Sequence, residues 1–211
     1  ITLGLPQVEL LKALKATGKP VILILTAGRP LALTETEPLA DAILYTWSLG
    51  DQAGRAMADV VFGDVNPSAR LSTSFPRNVG QCPIYYNHKN TGRPHQDGAA
   101  YSRFNSNYLD CIHGPLYAFG HGLSYTTFEY SDVTLSNNEM TADGQVKASV
   151  TVTNTGKRDG KEVVQLYVRD IYATSSRPVK ELKGFEKISL KAGESKTCLL
   201  YTSPSPRDPK T

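Results

Sequence analysis

The sequence has few cysteines, no long apolar run and no concentration of charge of one sign. No segment approaches the ~18 consecutive apolar residues of a membrane span, and the first residues lack the basic region and cleavage site of a signal peptide. The formal charge is only +3, and the lysines and arginines are scattered along the chain. Because a nucleic-acid or membrane surface needs a basic stripe, we expect neither partner.

The cysteines and histidines form no recognisable metal or redox motif. The three cysteines lack the close CxxC spacing of zinc and redox sites. Two interpretations stay open for Cys82 and Cys111, namely one disulfide in an oxidising compartment or two free thiols. No two histidines share a metal-ligand spacing; they are His88, His95, His113 and His121. We therefore predict no metal site and no cofactor.

The first third of the chain alternates helix and strand. Helical spacing of apolar residues predicts a helix over residues 7–17, and a second helix is predicted over 52–62. Continuous apolar runs at 21–25 and 42–47 are typical of strands buried on both faces of a parallel sheet. Two such strands are too few to satisfy each other's backbone groups. This part therefore predicts an α/β layered partial domain, the C-terminal part of an α/β sandwich, over residues 1–80.

The middle of the chain is irregular and rich in proline and aromatic residues. X-Pro steps such as Phe75-Pro76, Cys82-Pro83 and Gly114-Pro115 force extended geometry on the residue before each proline. A long irregular stretch of this kind is usually functional or packed over another domain. We interpret residues 81–128 as a connector that wraps across a surface.

The last part has the alternation of an all-β domain. Strands are predicted over 146–152, 162–168 and 180–188, with Asn154-Thr155-Gly156 as a turn. The spacing predicts an incomplete all-β fibronectin type III-like sandwich over 129–197, since a full sandwich needs about seven strands. Residues 198–211 are predicted to be a non-native tail, and within it residues 202–211 contain three prolines and no apolar alternation, so we predict disorder there.

Seven segments of the chain resemble motifs of the glycoside hydrolases of family 3. Their order and spacing are similar to those of the periplasmic β-glucosidase branch of that family. The resemblance runs from about residue 6 to residue 197. It is carried by LKALKATGKP (11–20) with AGRPLAL (27–33), Trp47 with ADVVFGDVNPS (58–68), SFPR (74–77), NTGRP (90–94), YAFGHGLSYT (117–126), VTNTG (152–156) and PVKELKGF (178–185).

The resemblance implies a three-part enzyme that hydrolyses β-linked glucosides, and often xylosides, with retention. Its N-terminal barrel carries the nucleophilic aspartate, and its acid/base glutamate falls in the α/β domain upstream of residue 1. We therefore assign no catalytic residue to this chain and expect it to be an inactive C-terminal fragment. The implied partners are the missing N-terminal barrel domain and, through the complete enzyme, a β-linked gluco-oligosaccharide. The implied location is periplasmic or secreted, in a bacterium.

Three polar residues in the connector are candidates for contact with substrate. Asn90, Arg93 and Arg103 lie among aromatic residues, and such groups are usual partners of sugar hydroxyls and sugar rings. A packing role against the missing barrel is the competing interpretation. The other acidic residues are interpreted as solvated or capping groups; they are Glu35, Glu37, Asp41, Asp59 and Asp64.

A second hypothesis is a non-catalytic carbohydrate-binding or structural module. It requires an exposed aromatic platform on the sandwich, and Tyr167, Tyr172 and Phe185 lack the alternation of such a platform.

The incomplete sheet has a separate consequence, because uncovered apolar faces and unpaired strand edges promote aggregation. We predict poor solubility for the chain expressed alone.

Overall fold

The computed structural model describes residues 1–95, 98–99, 101–141, 144–173 and 175–201. The chain divides into two compact units. The first unit contains residues 1–61 and 71–121, and the second contains residues 62–70 and the chain from Gly122 onward.

The first unit has the helices and strands that the sequence predicts, with ends that differ by one or two residues. They are α1 (Leu5–Ala16), β1 (Ile22–Leu25), β2 (Ala42–Tyr45) and α2 (Ala53–Val61), with single turns of 3-10 helix at Glu37–Leu39 and Val79–Gln81. Gly18 and Gly63 follow the two helices with φ values of 73° and 86°. Only glycine adopts this left-handed geometry without strain, so both glycines are suited to ending a helix.

Strands β1 and β2 pair in parallel, with Ile22 opposite Ala42 and Leu25 opposite Tyr45. The predicted pair of parallel strands is therefore confirmed. One face packs on the core of this unit, which is formed by Leu25, Leu33 and Phe75 with their apolar neighbours. On the other face Ile22 and Ile24 remain 52% and 41% exposed. Parallel sheets normally have both faces covered, so this face lacks its usual cover.

The second unit is all-β, as predicted. Its strands are β3 (Phe128–Tyr130), β4 (Thr134–Leu135), β5 (Lys147–Asn154), β6 (Gly160–Val168), β7 (Glu181–Leu190) and β8 (Ser195–Tyr201). Strand β5 is the centre of one antiparallel sheet, in which it pairs with β3, β4 and β8. Strands β6 and β7 form a separate antiparallel pair.

The core of the second unit lies between these two sheets. It contains residues from β5, β6, β7 and β8, namely Val152, Val164, Ile188, Leu190 and Cys198. Burial of such side chains contributes about 1.5–3 kcal/mol each. The alternation of buried and exposed residues along β6, with Gly160, Glu162 and Val164 buried, orients one face of that strand toward this core.

The all-β unit extends four residues beyond the predicted boundary at residue 197, into the segment predicted as a non-native tail. Residues 198–201 end strand β8, whose backbone pairs with β5 from Ser195 opposite Thr153 to Tyr201 opposite Lys147. Cys198 is only 1% exposed, because it fills the core between the sheets. Long-range pairing with β5 determines this strand, and local composition could not reveal it. The remainder of the predicted tail, 202–211, lies outside the described residues.

Candidate functional site

The three predicted substrate-proximal residues lie in one irregular segment of the first unit, residues 82–113, which we call the arm. Gln81, 1% exposed, anchors both ends of the arm. Its amide oxygen accepts a hydrogen bond from the Arg77 N–H at 2.6 Å, and its amide nitrogen donates to the carbonyl of Gly114 at 3.0 Å. Sequence reasoning missed Gln81, since a single glutamine in a loop carries no local signal of burial.

Hydrogen bonds inside the arm bring Arg93 and Arg103 into one local structure. The backbone N–H of Ser106 donates to the carbonyl of Arg93 at 2.9 Å, and Pro94 and Ser106 form an isolated bridge. Asn107 stabilises the turn that contains Arg103, because its side-chain amide donates to the carbonyl of Ser102 at 2.8 Å. In the described part of the arm, the segments that carry the two arginines are thus joined by backbone hydrogen bonding.

The side chains of Asn90, Arg93 and Arg103 are exposed. The guanidinium of Arg103 lies 5.7 Å from the centre of the Phe104 ring, an attractive cation–π arrangement. Other aromatic residues of the arm are also exposed, and Tyr85, Tyr101 and Phe104 are 62%, 57% and 67% exposed. An exposed set of aromatic rings, guanidinium groups and an amide can bind a ligand that has both apolar faces and hydroxyl groups.

A second cluster lies in the same unit at the carboxyl ends of β1 and β2. The buried Thr46 extends the pairing of the strands, because its N–H donates to the carbonyl of Leu25 at 2.8 Å. Trp47 follows with a φ of 55°. Its ring meets the rings of Tyr45 and Phe75 edge-on, with centroids 4.9 and 5.9 Å apart. The Tyr45 hydroxyl donates to the carbonyl of Arg29, which fixes the loop after β1 to the end of β2.

Several acidic residues of the first unit have structural partners. Asp41 accepts hydrogen bonds from the Lys15 ammonium at 2.9 Å and from the Val21 N–H at 2.8 Å. The pKa of Asp41 is lowered, mainly by the hydrogen bond from Lys15. Asp59 pairs weakly with Arg55 at 3.9 Å on α2. The structural interpretation of Asp41 and Asp59 therefore agrees with these contacts.

Glu37 contacts the phenol of Tyr117. The pKa of Tyr117 is raised mainly because the phenol is partly buried. The charge of Glu37 and its hydrogen bond with the phenol raise the pKa further. The backbone of Tyr117 is fixed by Phe75, whose N–H donates to the Tyr117 carbonyl at 2.8 Å. Glu37 and Tyr117 thereby join the 3-10 turn to the core of the first unit.

The cysteines are present as free thiols, of which Cys82 is exposed, Cys111 is partly buried and Cys198 is buried. Within the residues that the structure describes, no group of three or more histidine, cysteine or acidic side chains could hold a metal ion. Among the same residues, no helix is long and apolar enough to cross a membrane.

Two protein-family models match the chain. Residues 1–125 match the glycosyl hydrolase family 3 C-terminal domain, and residues 162–203 match a fibronectin type III-like domain. The first match covers the helices, strands and arm of the first unit, and the second covers most of the β6–β8 region.

Individual relatives agree with these matches. The chain is 59% identical to a periplasmic β-glucosidase of Salmonella typhimurium over 93% of its length, and 46% identical to a putative β-xylosidase of Formosa agariphila over 94%. A crystal structure of β-glucosidase from Listeria innocua in complex with gluconolactone has a TM-score of 0.92 at 44% identity, covering 97% of the chain.

The chain spans about a quarter of the length of these relatives, namely 26%, 25% and 28% respectively. The matched region is the C-terminal part that the sequence motifs indicate. The chain belongs to glycoside hydrolase family 3, of which it carries the C-terminal domain followed by a fibronectin type III-like domain.

Proposed function

We propose that the chain is the C-terminal part of a retaining β-glucosidase that hydrolyses terminal β-D-glucosidic bonds in oligosaccharides. The observation that carries the proposal is the 59% identity to a periplasmic β-glucosidase across nearly the whole chain. The relatives named as β-xylosidases, at 46% and 49% identity, extend the proposed substrates to β-xylosidic bonds.

The catalytic carboxylates of this enzyme are proposed to lie outside the chain. A retaining mechanism needs two carboxyl groups about 5 Å apart, one as nucleophile and one as acid/base. The best-buried carboxylate described, that of Glu162, has instead an arginine and a tyrosine as partners. This arrangement supports the proposal that the isolated chain is inactive.

The proposed partner of the chain is the rest of the same enzyme, which comprises the remaining α/β domain and the N-terminal barrel. The exposed face of β1 supports this proposal, since Ile22 and Ile24 have the apolar side chains of a sheet covered on both faces. On the same reasoning the two-stranded parallel sheet is part of a larger α/β sandwich. The periplasmic relative supports a periplasmic or secreted location.

Asn90, Arg93 and Arg103 are proposed to lie near the bound oligosaccharide in the complete enzyme. Their exposure, the exposed aromatic residues of the same segment and the contact of Arg103 with Phe104 support this role. Replacing Arg93 by alanine in the complete enzyme is expected to raise KM for a β-linked disaccharide. Unchanged kinetics would leave the packing interpretation for this residue.

The test of the proposed function uses the complete gene product and the present chain side by side. Both are assayed with an aryl β-glucoside and an aryl β-xyloside, and the anomeric configuration of the released sugar is followed by NMR. We expect turnover with retention by the complete protein and none by the chain. Inversion, or turnover by the chain alone, would overturn the assignment of a retaining enzyme with its carboxylates elsewhere.

A further inference from the structure

Trp47 has a backbone conformation that is unusual for its residue type. Its φ of 55° is the one positive value found for a non-glycine residue in the described part of the chain. In this left-handed region a side chain crowds the following carbonyl group, so an L-residue there is strained. Such strain persists only where the surrounding structure enforces it, and strained residues are concentrated at functional sites.

Trp47 lies at the carboxyl edge of the parallel sheet, which is where α/β proteins commonly bind ligands. Strands β1 and β2 are parallel, so their carboxyl ends lie at the same edge. Thr26 follows β1 and Thr46 follows β2, and their hydroxyl groups are hydrogen bonded at 2.8 Å. In open α/β sheets, ligands bind in the crevice beyond the carboxyl ends of the strands. Trp47 stands at this edge, one residue beyond the Thr26–Thr46 pair.

Three contacts hold the tryptophan in its strained conformation. The Thr46 hydroxyl donates to the carbonyl of Leu25 at 3.0 Å, which fixes the residue before Trp47. Tyr45 and Phe75 meet the indole with their ring planes inclined at 64° and 67°. These contacts orient the indole ring, which is itself only partly buried.

The groups beside Trp47 suit a carbohydrate. Arg29 and Ser48 are exposed on the two loops that follow the strands, and the loops approach each other closely at Gly28 and Ser48. A partly exposed indole offers an aromatic face for the C–H groups of a pyranose ring, while a guanidinium and a hydroxyl group can bond its hydroxyl groups. We propose that this edge, formed by Trp47, Arg29 and Ser48, contacts a sugar ring of the β-linked oligosaccharide and fixes its orientation.

This inference rests on the proposed function and adds a binding role for residues that neither the arm nor the catalytic carboxylates include. The test is made in the complete enzyme with Trp47→Ala, Trp47→Phe and Arg29→Ala. Arg55→Ala is the control, since Arg55 is an arginine on α2 whose side chain is 80% exposed. For each variant kcat and KM are measured with a β-linked disaccharide such as laminaribiose.

We expect KM to rise about tenfold in Trp47→Ala, which corresponds to the loss of one good contact. Trp47→Phe should keep most of the affinity because it retains an aromatic ring. Arg29→Ala should raise KM several-fold, and Arg55→Ala should have the KM of the parent enzyme. A purely structural role would reduce the active fraction, which lowers kcat and leaves KM unchanged.

The outcomes separate this inference from the proposed function. If the parent enzyme hydrolyses no β-glucoside or β-xyloside, the proposed function fails and the inference falls with it. If the parent enzyme is active and both Trp47→Ala and Arg29→Ala keep its KM, the inference alone is overturned. If Trp47→Ala does not fold, the KM values of Arg29→Ala and Arg55→Ala are compared. A higher KM in Arg29→Ala supports the inference, and equal KM values overturn it.

Discussion

The guanidinium of Arg70 forms an ion pair with the carboxylate of Glu162, and the two side chains are only 13% and 8% exposed. Tyr130 donates its hydroxyl to the other carboxylate oxygen at 2.8 Å. The pKa of Tyr130 is raised mainly because the phenol is partly buried, and the hydrogen bond to Glu162 raises this pKa further. This triad attaches residues 62–70 to strands β3 and β6 within the second unit.

The first prediction concerns this buried ion pair. Arg70→Ala should lower the free energy of unfolding by about 3 kcal/mol, because it leaves the Glu162 charge buried without its cation. Urea denaturation followed by circular dichroism measures the change. Lys196→Ala is the control: it removes an ion pair with Glu186 in which the two side chains are 48% and 37% exposed, so its effect on stability should be much smaller. Equal losses in the two variants would contradict the prediction.

The second prediction concerns Asn154, which is 0% exposed. Its side chain accepts a bond from the Thr126 hydroxyl at 2.7 Å and donates to the carbonyls of Arg158 and Leu190 at 2.8 and 3.2 Å. Asn154→Ala removes the partner of the buried Thr126 hydroxyl and of the buried Leu190 carbonyl, and should cost about 3 kcal/mol in chemical denaturation. Thr155→Ala, at an exposed neighbour, should change stability by less than about 0.5 kcal/mol.

The third prediction concerns the same network at Gly156. A Cβ added there would lie 2.1 Å from the Thr126 hydroxyl oxygen and 2.9 Å from the Thr127 nitrogen. Gly156→Ala should therefore destabilise the second unit by about 1–3 kcal/mol through overpacking. Gly50→Ala is the control, since nothing lies within 4 Å of the added carbon there. A thermal melt that is equal for both variants would show that the turn can relax.

The fourth prediction is a pH dependence at Asp41. Its pKa is lowered from 3.8, mainly by the Lys15 hydrogen bond, so its carboxylate stabilises the folded state above pH 3.8. This contribution is lost as the pH falls below that value through the lower folded-state pKa. The unfolding midpoints of the parent chain and of Asp41→Asn should therefore differ less as the pH is lowered. A difference that is constant with pH would contradict the assignment.

The fifth prediction concerns the thiols. Burial raises the pKa of Cys111 and of Cys198. The exposed Cys82 should therefore react first with a disulfide reagent, Cys111 more slowly, and Cys198 only when the second unit unfolds. Mass spectrometry of the labelled peptides gives the order. If Cys82 and Cys111 both resist labelling until a reductant is added, they form a disulfide in solution.

Solubility of the chain alone stays a prediction, and the structure identifies where to test it. Ile24→Lys places a charge on the exposed face of β1 and should increase the monomeric fraction in gel filtration. Leu23→Lys is the matched change on the opposite face of the strand, where Leu23 packs on the core. It should instead destabilise the fold. A monomeric parent chain with a cooperative melt would contradict the solubility prediction.

Local patterns predicted most elements because their signals are contained in short segments. The continuous apolar run at Val21–Leu25 and the alternation before Asn154 each indicate a strand without reference to the rest of the chain. The candidate residues of the arm were also predicted, since Asn90, Arg93 and Arg103 are polar groups among aromatic ones. Their role in substrate binding stays a prediction.

The sequence by itself determined the family, the order of an α/β part before an all-β part, and the parallel pairing expected of β1 and β2. Only the tertiary structure decided that Cys198–Tyr201 form a strand, that Gln81 anchors the arm and that Trp47 is held at a φ of 55°. The physical reason is the range of the interactions. Helix and strand propensity act over a few neighbouring residues, whereas these features depend on partners distant in the sequence.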